Sequence, residues 1–422
     1  MIQSIAIFYI IMIAYHIISV VLLGTIGYEH IEKLTLIRDW GWVMIASWSL
    51  LYHYKNILPF IKQRKKTIIR AGITIVFAIL ISIIQQTSIY NIAIGIKYGF
   101  MFLWIAFSAI WIGYNTSTQQ IQKIKKRLPY TLVTVIIIWL LRQMVKYMWP
   151  DLFFQIGYGA IGDFVFGQEP PIYYRTGPWW EPRLQWLFAW PNNYGYFLAA
   201  FFPLILNQYK QYKKYNHRLW WTIVILLTIL SIILTLSRTA IIGTILWSSL
   251  LYRGYIKQNK KLLYTIIIST IIVIAGLSIL KWWSTQEHIT QKTTSISYII
   301  QQPQWYGLWS SWPAIHHDGE ILPENYYMQI AIDIGTIGFI LLMITLISIK
   351  SITQKLIANN QGPETTNQEL VAISTWFYIL LIMWLFLHVF EDSMVNYLFF
   401  IPFGLYLWYY SKLNYKQYQT QK

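Results

Sequence analysis

Apolar residues run through this chain in long blocks separated by short polar stretches. A helix needs roughly 18 or more mostly apolar residues to cross the hydrocarbon core of a bilayer, and runs of that kind recur from end to end. The pattern therefore predicts an all-α, polytopic membrane protein with about twelve transmembrane helices. The predicted spans are residues 2–23, 40–60, 67–85, 90–113, 130–150, 191–208, 219–236, 239–252, 262–280, 326–349, 371–390 and 397–411.

Basic clusters occupy every second connection between these spans. By the positive-inside rule such loops face the cytoplasm, which places both termini there. The opposite, external loops collect nearly all the acidic residues, and two of them are long, residues 151–190 and 281–325. Long irregular loops are usually functional. Since no internal repeat or low-complexity linker is visible, we treat residues 1–422 as a single integral-membrane domain.

Composition agrees with a membrane protein and excludes two other classes. The chain is 56% hydrophobic and only 12% charged, with a mean hydropathy of +0.45. Its net charge of +17 could indicate nucleic-acid binding, but the charges follow the cytoplasmic loops, so we expect no nucleic-acid partner. Without cysteine, disulfides and thiolate chemistry are excluded. The first apolar run is too long for a signal-peptide core and is predicted to be a retained span.

The stretch "TLSRTA" separates the seventh and eighth predicted spans on the external side. Ser237 is a good N-cap for the eighth span, and Arg238 lies in its first turn. A helix N-terminus with a guanidinium makes an anion site suited to phosphate. The alternative is an arginine that snorkels to the lipid headgroups. The residues alone do not decide between the two.

Arg142 and Lys146 stand four residues apart in the outer half of the fifth span, and therefore on one face. Two like charges in an apolar helix are costly unless they meet an anion or a water-filled cavity. They could also pair with Asp333, which lies at a similar depth in the tenth span. Both interpretations remain open, and they are compatible.

"ENYYMQIAIDIGTIGF" begins where the second long loop becomes the tenth span. Glu324 could be a general base that accepts a proton from a sugar hydroxyl. It could equally be a carboxylate held there by the helix dipole. Further along the same helix, Gly335 and Gly338 permit close approach of another helix.

The two long loops hold further candidates. Arg183 lies among many aromatic residues, whose faces could stack on sugars, although Trp and Tyr also form belts at the membrane interface. His316 and His317 stand beside two acids and could bind a metal. Without a helical spacing to organise them, we expect no metal site.

Three segments in this order resemble the O-antigen ligase and polymerase family, integral-membrane transferases that use polyprenyl-diphosphate-linked glycans. Arg183 followed by "AWPNNYGYFLA" is similar to that family's arginine and Pro-Asn entry to a span. "LSRTA" resembles its Ser-Arg motif, and "ENYYMQIAIDIGTIGF" its His-Asn signature. "PQWYGLW" resembles the turn that precedes the signature. The likeness covers residues 180–340, and twelve spans with both ends inside also suit the family.

The resemblance implies roles for individual residues. Arg238 would hold the diphosphate, with Arg183, Lys292, Arg142 and Lys146 as further candidates for that group. Glu324 would be the base and Asn325 its neighbour in the site, although the family's ligases usually carry a histidine where Glu324 stands. His316 or His317 could be the base instead. Counted from Glu324, the family's signature also matches Asp333, Gly335 and Gly338, which would be structural residues.

The resemblance implies a metal-independent glycosyltransferase without a cofactor. It would move a glycan from a polyprenyl-diphosphate carrier to a hydroxyl of a glycan, lipid or protein acceptor, at the periplasmic or extracellular face of the cytoplasmic membrane. Whether it is a ligase or a polymerase depends on the acceptor. The alternatives are a transporter or flippase of a glycolipid or amphiphile, and a membrane scaffold without activity. Transporters tend to place their charges near the bilayer midplane, often in repeated halves.

Overall fold

The structure is a computed structural model of the 422-residue chain. It describes residues 2–162, 168–173, 191–211, 215–251, 261, 264–265, 268, 271–272, 275–276, 278–279, 282–301, 303–304, 306–308, 325–358, 377–378, 381 and 393–420.

The described residues are almost entirely helical, as the apolar blocks predict. Two short 3₁₀ helices, Tyr28–His30 and Tyr54–Asn56, connect longer elements. The α-helices are α1 (Ile2–Ile26), α2 (Ile31–Tyr52), α3 (Ile57–Ile84), α4 (Ile89–Asn115), α5 (Thr118–Met148), α6 (Pro150–Gln155), α7 (Pro191–Gln211), α8 (Tyr215–Leu234), α9 (Arg238–Leu251), α10 (Trp282–Gln301), α11 (Tyr326–Ala358) and α12 (Ser393–Thr420).

Four helical segments within the described residues are long and apolar enough to cross a bilayer: Tyr54–Ile84, Ile89–Asn115, Thr118–Met148 and Tyr326–Gln354. A bent pair in α1, Gln3–Met12 and Ala14–Ile26, would make a fifth. Many apolar side chains on these helices are exposed, which suits lipid better than water. The chain is therefore a membrane-embedded helical protein. The count of twelve spans and the side of each terminus stay predictions.

Several predicted span boundaries differ from the structure, and the clearest difference concerns α2 and α3. The predicted span 40–60 straddles the end of α2 and the beginning of α3, which are separated at His53, where the backbone is not helical (φ −112°, ψ 25°). Helix α3 begins ten residues before the predicted span 67–85, at Ile57. The polar residues His53, Lys55 and Asn56 stand at the break and are the local signal that the prediction of one span over 40–60 passed over. The predicted spans 262–280 and 371–390 lie mostly outside the described residues.

The second long loop, predicted as irregular, contains the 20-residue helix α10. No proline or glycine occurs between Trp282 and Gln301, which is the signal that could have indicated a helix. Its hydropathy is too low to suggest a membrane span. Lys292 therefore lies on a regular helix, where its side chain is half-buried.

The contacts of the chain divide it into two compact units. The first contains Met1–Tyr52 and Gln119–Lys281, and the second contains His53–Thr118 and Trp282–Lys422. Whether the chain is one integral-membrane domain stays a prediction.

In the first unit, α1 and α2 pack through Phe8 and Trp42, whose ring centroids are 5.5 Å apart. Helix α5 contacts α8 through Tyr130 and Trp221, at 5.7 Å. Helix α7 packs on both α8 and α9. Residues 193–207 of α7 are buried, and most of their side chains are apolar or aromatic.

In the second unit, the main pairing is between α4 and α12. Gly404 lies against Ala106 and Ala109, and Gly113 lies against Trp408, so that small residues let the two helices approach closely. Helix α3 packs on α11 through Thr74 and Thr345, whose hydroxyl oxygens are 3.1 Å apart.

Helix α11 is broken at Gly335, which adopts φ 70° and ψ 177°. Residues 303–304 and 306–308 lie beside this break. Pro303 accepts a hydrogen bond from the Thr336 N–H (3.1 Å), and the Gly307 N–H donates to the Asp333 carbonyl (2.9 Å). The segment thus supplies the backbone partners that the interrupted helix cannot supply to itself.

Candidate functional site

The turn between α8 and α9 is the local structure of the "LSRTA" stretch. Leu236 adopts φ 51°, a left-handed conformation that ends α8. The Ser237 hydroxyl accepts from the Ala240 N–H at 3.4 Å, and the Ser237 carbonyl from the Ile241 N–H at 3.1 Å. The N-cap predicted at Ser237 is therefore confirmed, and α9 begins at Arg238.

Gly195, in the "PNNYG" beginning of α7, packs against this turn. A Cβ at Gly195 would lie 2.7 Å from the Ala240 Cβ, 3.0 Å from the Thr235 Oγ1 and 3.2 Å from the Ser237 Cβ. Only glycine allows so close an approach. Two of the segments that carry the family resemblance are therefore in direct contact in the first unit. We call this region, formed by residues 192–196 and 235–240, the Ser-Arg corner.

The Ser-Arg corner has the chemistry of an anion site. Arg238 is half-buried, and its charge interacts with the Tyr196 phenol on α7. Asn193, in the first turn of α7, is buried. The N-terminus of a helix carries a partial positive charge, and a guanidinium on its first residue adds a full one. A phosphate oxygen would be stabilised at such a position.

Arg142 and Lys146 lie in a second basic region of the first unit. They are 9% and 0% exposed, respectively, and His16 of α1, which is 7% exposed, lies with them. Aromatic side chains from the segment after α5 enclose the three. We call this group the basic–aromatic cluster; its members are His16, Arg142, Lys146, Phe153, Tyr158 and Tyr173.

The contacts within the basic–aromatic cluster are specific. The Lys146 Nζ lies 4.7 Å from the ring centroid of Tyr173, 5.1 Å from that of Tyr158 and 5.9 Å from that of Phe153. An Nη of Arg142 donates to the Tyr158 hydroxyl at 2.6 Å. The His16 ring meets the Tyr158 ring edge-on, with centroids 5.8 Å apart. Cation–π attraction offsets part of the cost of burying these charges.

The segment that covers this cluster is held by backbone hydrogen bonds. Gly159 donates to Pro170 (3.0 Å) and accepts from Ile172 (2.9 Å), while Gly162 donates to Tyr173 (3.2 Å). The Tyr28 hydroxyl donates to the Gly157 carbonyl. These contacts fix the rings of Tyr158 and Tyr173 over the end of α5.

The tyrosines of this region do not supply negative charge. Burial raises the pKa of Tyr158, although the neighbouring Arg142 cation and its hydrogen bond act in the opposite direction. Burial, followed by the nearby Glu169 carboxylate, raises the pKa of Tyr28 to about 12. Both phenols therefore stay neutral at physiological pH.

At the N-terminus of α11, Asn325 is the N-cap residue. Its Oδ1 accepts from the Met328 N–H at 2.8 Å, and its carbonyl accepts from the Gln329 N–H at 3.1 Å. The side chain is 5% exposed. Capping alone is a sufficient reason for an asparagine at this position. A catalytic role for Asn325 stays a prediction.

The structural residues predicted in α11 have local roles that differ in part from the expectation. Gly335 permits the helix break, and the backbone of Gln304, rather than another helix, approaches it. Gly338 faces the side chain of Ile334 in its own helix. Asp333 is buried, and its carbonyl accepts from Gly307. Its predicted pairing with Arg142 or Lys146 joins residues of the two units and stays a prediction.

Four predicted site residues, Glu324, His316, His317 and Arg183, lie outside the described residues. Within the part of the chain that the structure describes, no three His, Asp or Glu side chains are close enough together to hold a metal ion. This statement does not cover His316 and His317 of the second loop, which lie outside the described residues.

Comparison with protein-family models, with curated proteins and with solved structures found no match to this chain. The resemblance described above therefore rests on the motifs alone.

The sequence analysis missed four members of the basic–aromatic cluster: His16, Phe153, Tyr158 and Tyr173. A lone histidine in the middle of the first apolar span was a signal that could have indicated His16. Nothing local distinguishes Tyr158 and Tyr173 among the many aromatic residues of their loop. Their contact with Lys146 depends on how the chain returns after α5.

Proposed function

We propose that this protein is a membrane glycosyltransferase that moves a glycan from a polyprenyl-diphosphate carrier to an acceptor hydroxyl. The observation that carries the proposal is the contact at Gly195, through which the "PNNYG" and "LSRTA" segments form one corner around Arg238. The two segments are far apart in sequence, and both resemble the same family. A shared site would explain why one chain contains both.

A second contact of this kind supports the proposal. In the second unit, residues 303–304 and 306–308 of "PQWYGLW" contact the break of α11, the helix of "ENYYMQIAIDIGTIGF". Each half of the resemblance thus corresponds to a packed pair of segments within its own unit.

In the proposed reaction, the acceptor oxygen attacks the anomeric carbon of the donor sugar and forms the new glycosidic bond. The bond from that carbon to the diphosphate oxygen breaks, and polyprenyl diphosphate leaves with the electron pair. Arg238 and the N-terminus of α9 stabilise the charge that develops on the leaving diphosphate. Glu324 takes the proton of the acceptor hydroxyl. The diphosphate is a good leaving group, so positioning and charge stabilisation are the main requirements.

A transporter or flippase is the second candidate, and the feature that bears on it is the break in α11. Transporters often bind their substrates at discontinuous helices. Here, however, the carbonyls of Ile332 and Asp333 accept from Tyr306 and Gly307, and the Thr336 N–H donates to Pro303. Because these backbone groups already bond within the protein, the break favours a structural anchor over a substrate site.

Deletion of the gene followed by gel analysis of cell glycans tests the proposal. A ligase predicts long chains that accumulate on the lipid carrier, whereas a polymerase predicts single repeats that stay unextended. Complementation with Arg238→Ala should reproduce the deletion, because the leaving diphosphate loses its cation.

Arg218→Ala is the matched control, since Arg218 lies in α8 of the same unit, on the predicted cytoplasmic side. It should restore the wild-type pattern. Full glycan transfer by Arg238→Ala, at a normal level of the protein in the membrane, would refute the proposed role of the Ser-Arg corner.

A further inference from the structure

Three buried N–H donors lie where α3, α4 and α12 meet in the second unit. They are the Arg64 Nε and the indole Nε1 atoms of Trp111 and Trp408, and none has a hydrogen-bond partner among the described residues. An Nη of Arg64 donates to the Ser411 hydroxyl at 3.0 Å, and its Cζ lies 5.8 Å from the Trp408 ring centroid. Because buried donors normally meet an acceptor in protein, water or ligand, this group needs acceptors that the described residues do not supply.

Aromatic rings from the three helices fix the position of Arg64. The Tyr114 ring stacks on Trp111 at 6.0 Å and contacts Trp408 at 4.6 Å. Phe60, one turn before Arg64 on the same face of α3, meets the Trp111 ring edge-on at 5.2 Å. The indoles of Trp111 and Trp408 are 3% and 5% exposed. The arginine is therefore held in place by packing, while its own side chain is only half-buried.

The helices that hold Arg64 contain no acidic residue: the sequences of α3, α4 and α12 have neither Asp nor Glu. Helix α11 also packs on α3, and its one acidic residue is Asp333. The Asp333 carbonyl accepts from Gly307, and the Leu308 N–H donates to the Ser82 hydroxyl near the far end of α3. At 1.5 Å per residue, Ser82 is roughly 27 Å along the helix axis from Arg64. These four helices therefore provide no carboxylate beside Arg64.

Arg64 stands at the border between an apolar surface and a basic one. On the same helix, Leu58 is 70% exposed and Ile69 is 47% exposed, which suits contact with lipid. The residues around Arg64 also include exposed lysines, namely Lys62, Lys65 and Lys66. This basic stretch belongs to a connection that the positive-inside rule assigns to the cytoplasm. An amphiphile with a negative headgroup fits such a border.

A narrow cleft between α3, α4, α11 and α12 begins at Arg64. Besides Arg64 and Thr67, its described lining is apolar and includes Ile110, Ile349 and Leu407. A cation at the end of apolar surface matches the two parts of a phospholipid. The phosphodiester carries one negative charge and several acceptor oxygens, which a guanidinium recognises well. The acyl chain requires only apolar neighbours.

We propose that Arg64 and this cleft bind an anionic phospholipid, with the phosphodiester on the guanidinium and an acyl chain along the cleft. A zwitterionic headgroup fits less well, because it brings an ammonium among four neighbouring cations, whereas basic surfaces at membrane helix ends attract anionic lipids. In the predicted topology the site faces the cytoplasmic leaflet. The inference goes beyond glycan transfer, since it concerns lipid binding alone.

The test uses the full-length protein purified in detergent and stripped of lipid. Phosphatidylglycerol or phosphatidylcholine with the same acyl chains is added in mixed micelles, and tryptophan fluorescence gives the unfolding temperature. A ligand that binds the folded state raises this temperature in a saturable way. We expect a larger rise with phosphatidylglycerol, and a loss of affinity for it of about tenfold in Arg64→Gln. Equal rises with the two lipids in the wild type would overturn the proposal.

Arg218→Gln is the matched control. Arg218 lies in α8 on the predicted cytoplasmic side, with its Cζ 5.9 Å from the Tyr209 ring centroid. This variant therefore loses one charge and one cation–π contact away from the cleft, and it should keep the phosphatidylglycerol response. An equal loss of affinity in Arg218→Gln and Arg64→Gln would mean that net charge alone attracts the lipid, which would contradict a site at Arg64.

A second measurement locates the lipid in the wild type and does not depend on whether Arg64→Gln folds. Phosphatidylglycerol with a photoreactive group in its acyl chain should crosslink to peptides that contain Ile110, Ile349 or Leu407, and an excess of unlabelled phosphatidylglycerol should prevent this. Crosslinks spread over other helices, without such competition, would show bulk lipid contact only and refute the site. A rise in unfolding temperature with inorganic phosphate as large as that with phosphatidylglycerol would show that the cleft takes no part, and the proposal would be wrong.

Discussion

Replacing Gly195 with alanine tests the contact that brings the Ser-Arg corner together. The added Cβ would lie 2.7 Å from the Ala240 Cβ, and the Thr235 Oγ1 and Ser237 Cβ would be nearly as close. The two Cβ atoms are attached directly to the backbone, and the Thr235 hydroxyl already donates to the Ile232 carbonyl at 2.7 Å. None of the three can rotate away, so α7 must move from the turn.

The size of the effect follows from two opposing contributions. Alanine in place of glycine within a helix usually stabilises by about 0.5–1 kcal/mol. Overpacking of a tight contact costs about 1–3 kcal/mol. The net result for Gly195→Ala is a loss of about 1 kcal/mol in the free energy of unfolding.

The assay is thermal unfolding of the purified variants in detergent, with Gly72→Ala as the control. Gly72 lies in α3, where an added Cβ would meet no described residue within 4 Å beyond its own helix backbone and chain neighbours. We expect Gly72→Ala to unfold at or slightly above the wild-type temperature, and Gly195→Ala to unfold below it and to transfer less glycan. If Gly195→Ala is as stable and as active as Gly72→Ala, the close approach at Gly195 is not needed, and the structural basis of the Ser-Arg corner is wrong.

Three further predictions concern α11, the segment over the basic–aromatic cluster and the reaction. Gly335→Ala should lower the free energy of unfolding by about 3 kcal/mol or more, because φ 70° with ψ 177° excludes other residues and the added Cβ would meet the Gln304 backbone. An unchanged unfolding temperature would contradict this prediction. The pKa of Tyr28 in the folded protein is raised from 10 to about 12. The neutral phenol therefore contributes fully to the free energy of unfolding below pH 10, and this contribution is lost as the pH rises through about 12. The unfolding temperature of the wild type should then fall more steeply than that of Tyr28→Phe over that range, and parallel curves would be the contrary result. Glycan transfer should survive EDTA; a complete loss, restored by a divalent ion, would show that a metal takes part.

The sequence predicts features that depend on local pattern. Apolar blocks predict the membrane helices, and the Ser237–Arg238 pair predicts where α8 ends and α9 begins, since a serine before a new apolar run is a strong N-cap signal. The predicted spans 2–23, 90–113 and 130–150 each correspond to one helix, α1, α4 and α5, although these helices begin or end some residues away from the prediction.

Features that depend on long-range contacts could not be predicted in this way. The pair Gly335 and Gly338 is compatible both with close helix packing and with a broken helix, and the contacts of Pro303, Tyr306 and Gly307 with α11 decide for the break. Tyr158 contacts Arg142 because the chain turns back after α5, and no periodicity encodes that return.

The most direct test of the proposed function is a reaction of the purified protein in lipid vesicles. A polyprenyl-diphosphate-linked glycan and an acceptor are added, and mass spectrometry counts transferred glycans and released polyprenyl diphosphate. We predict one polyprenyl diphosphate for each glycan transferred, with the reaction lost in Arg238→Ala and kept in Arg218→Ala. Movement of the intact glycolipid across the vesicle membrane without cleavage, or cleavage at an equal rate in Arg238→Ala, would contradict the account.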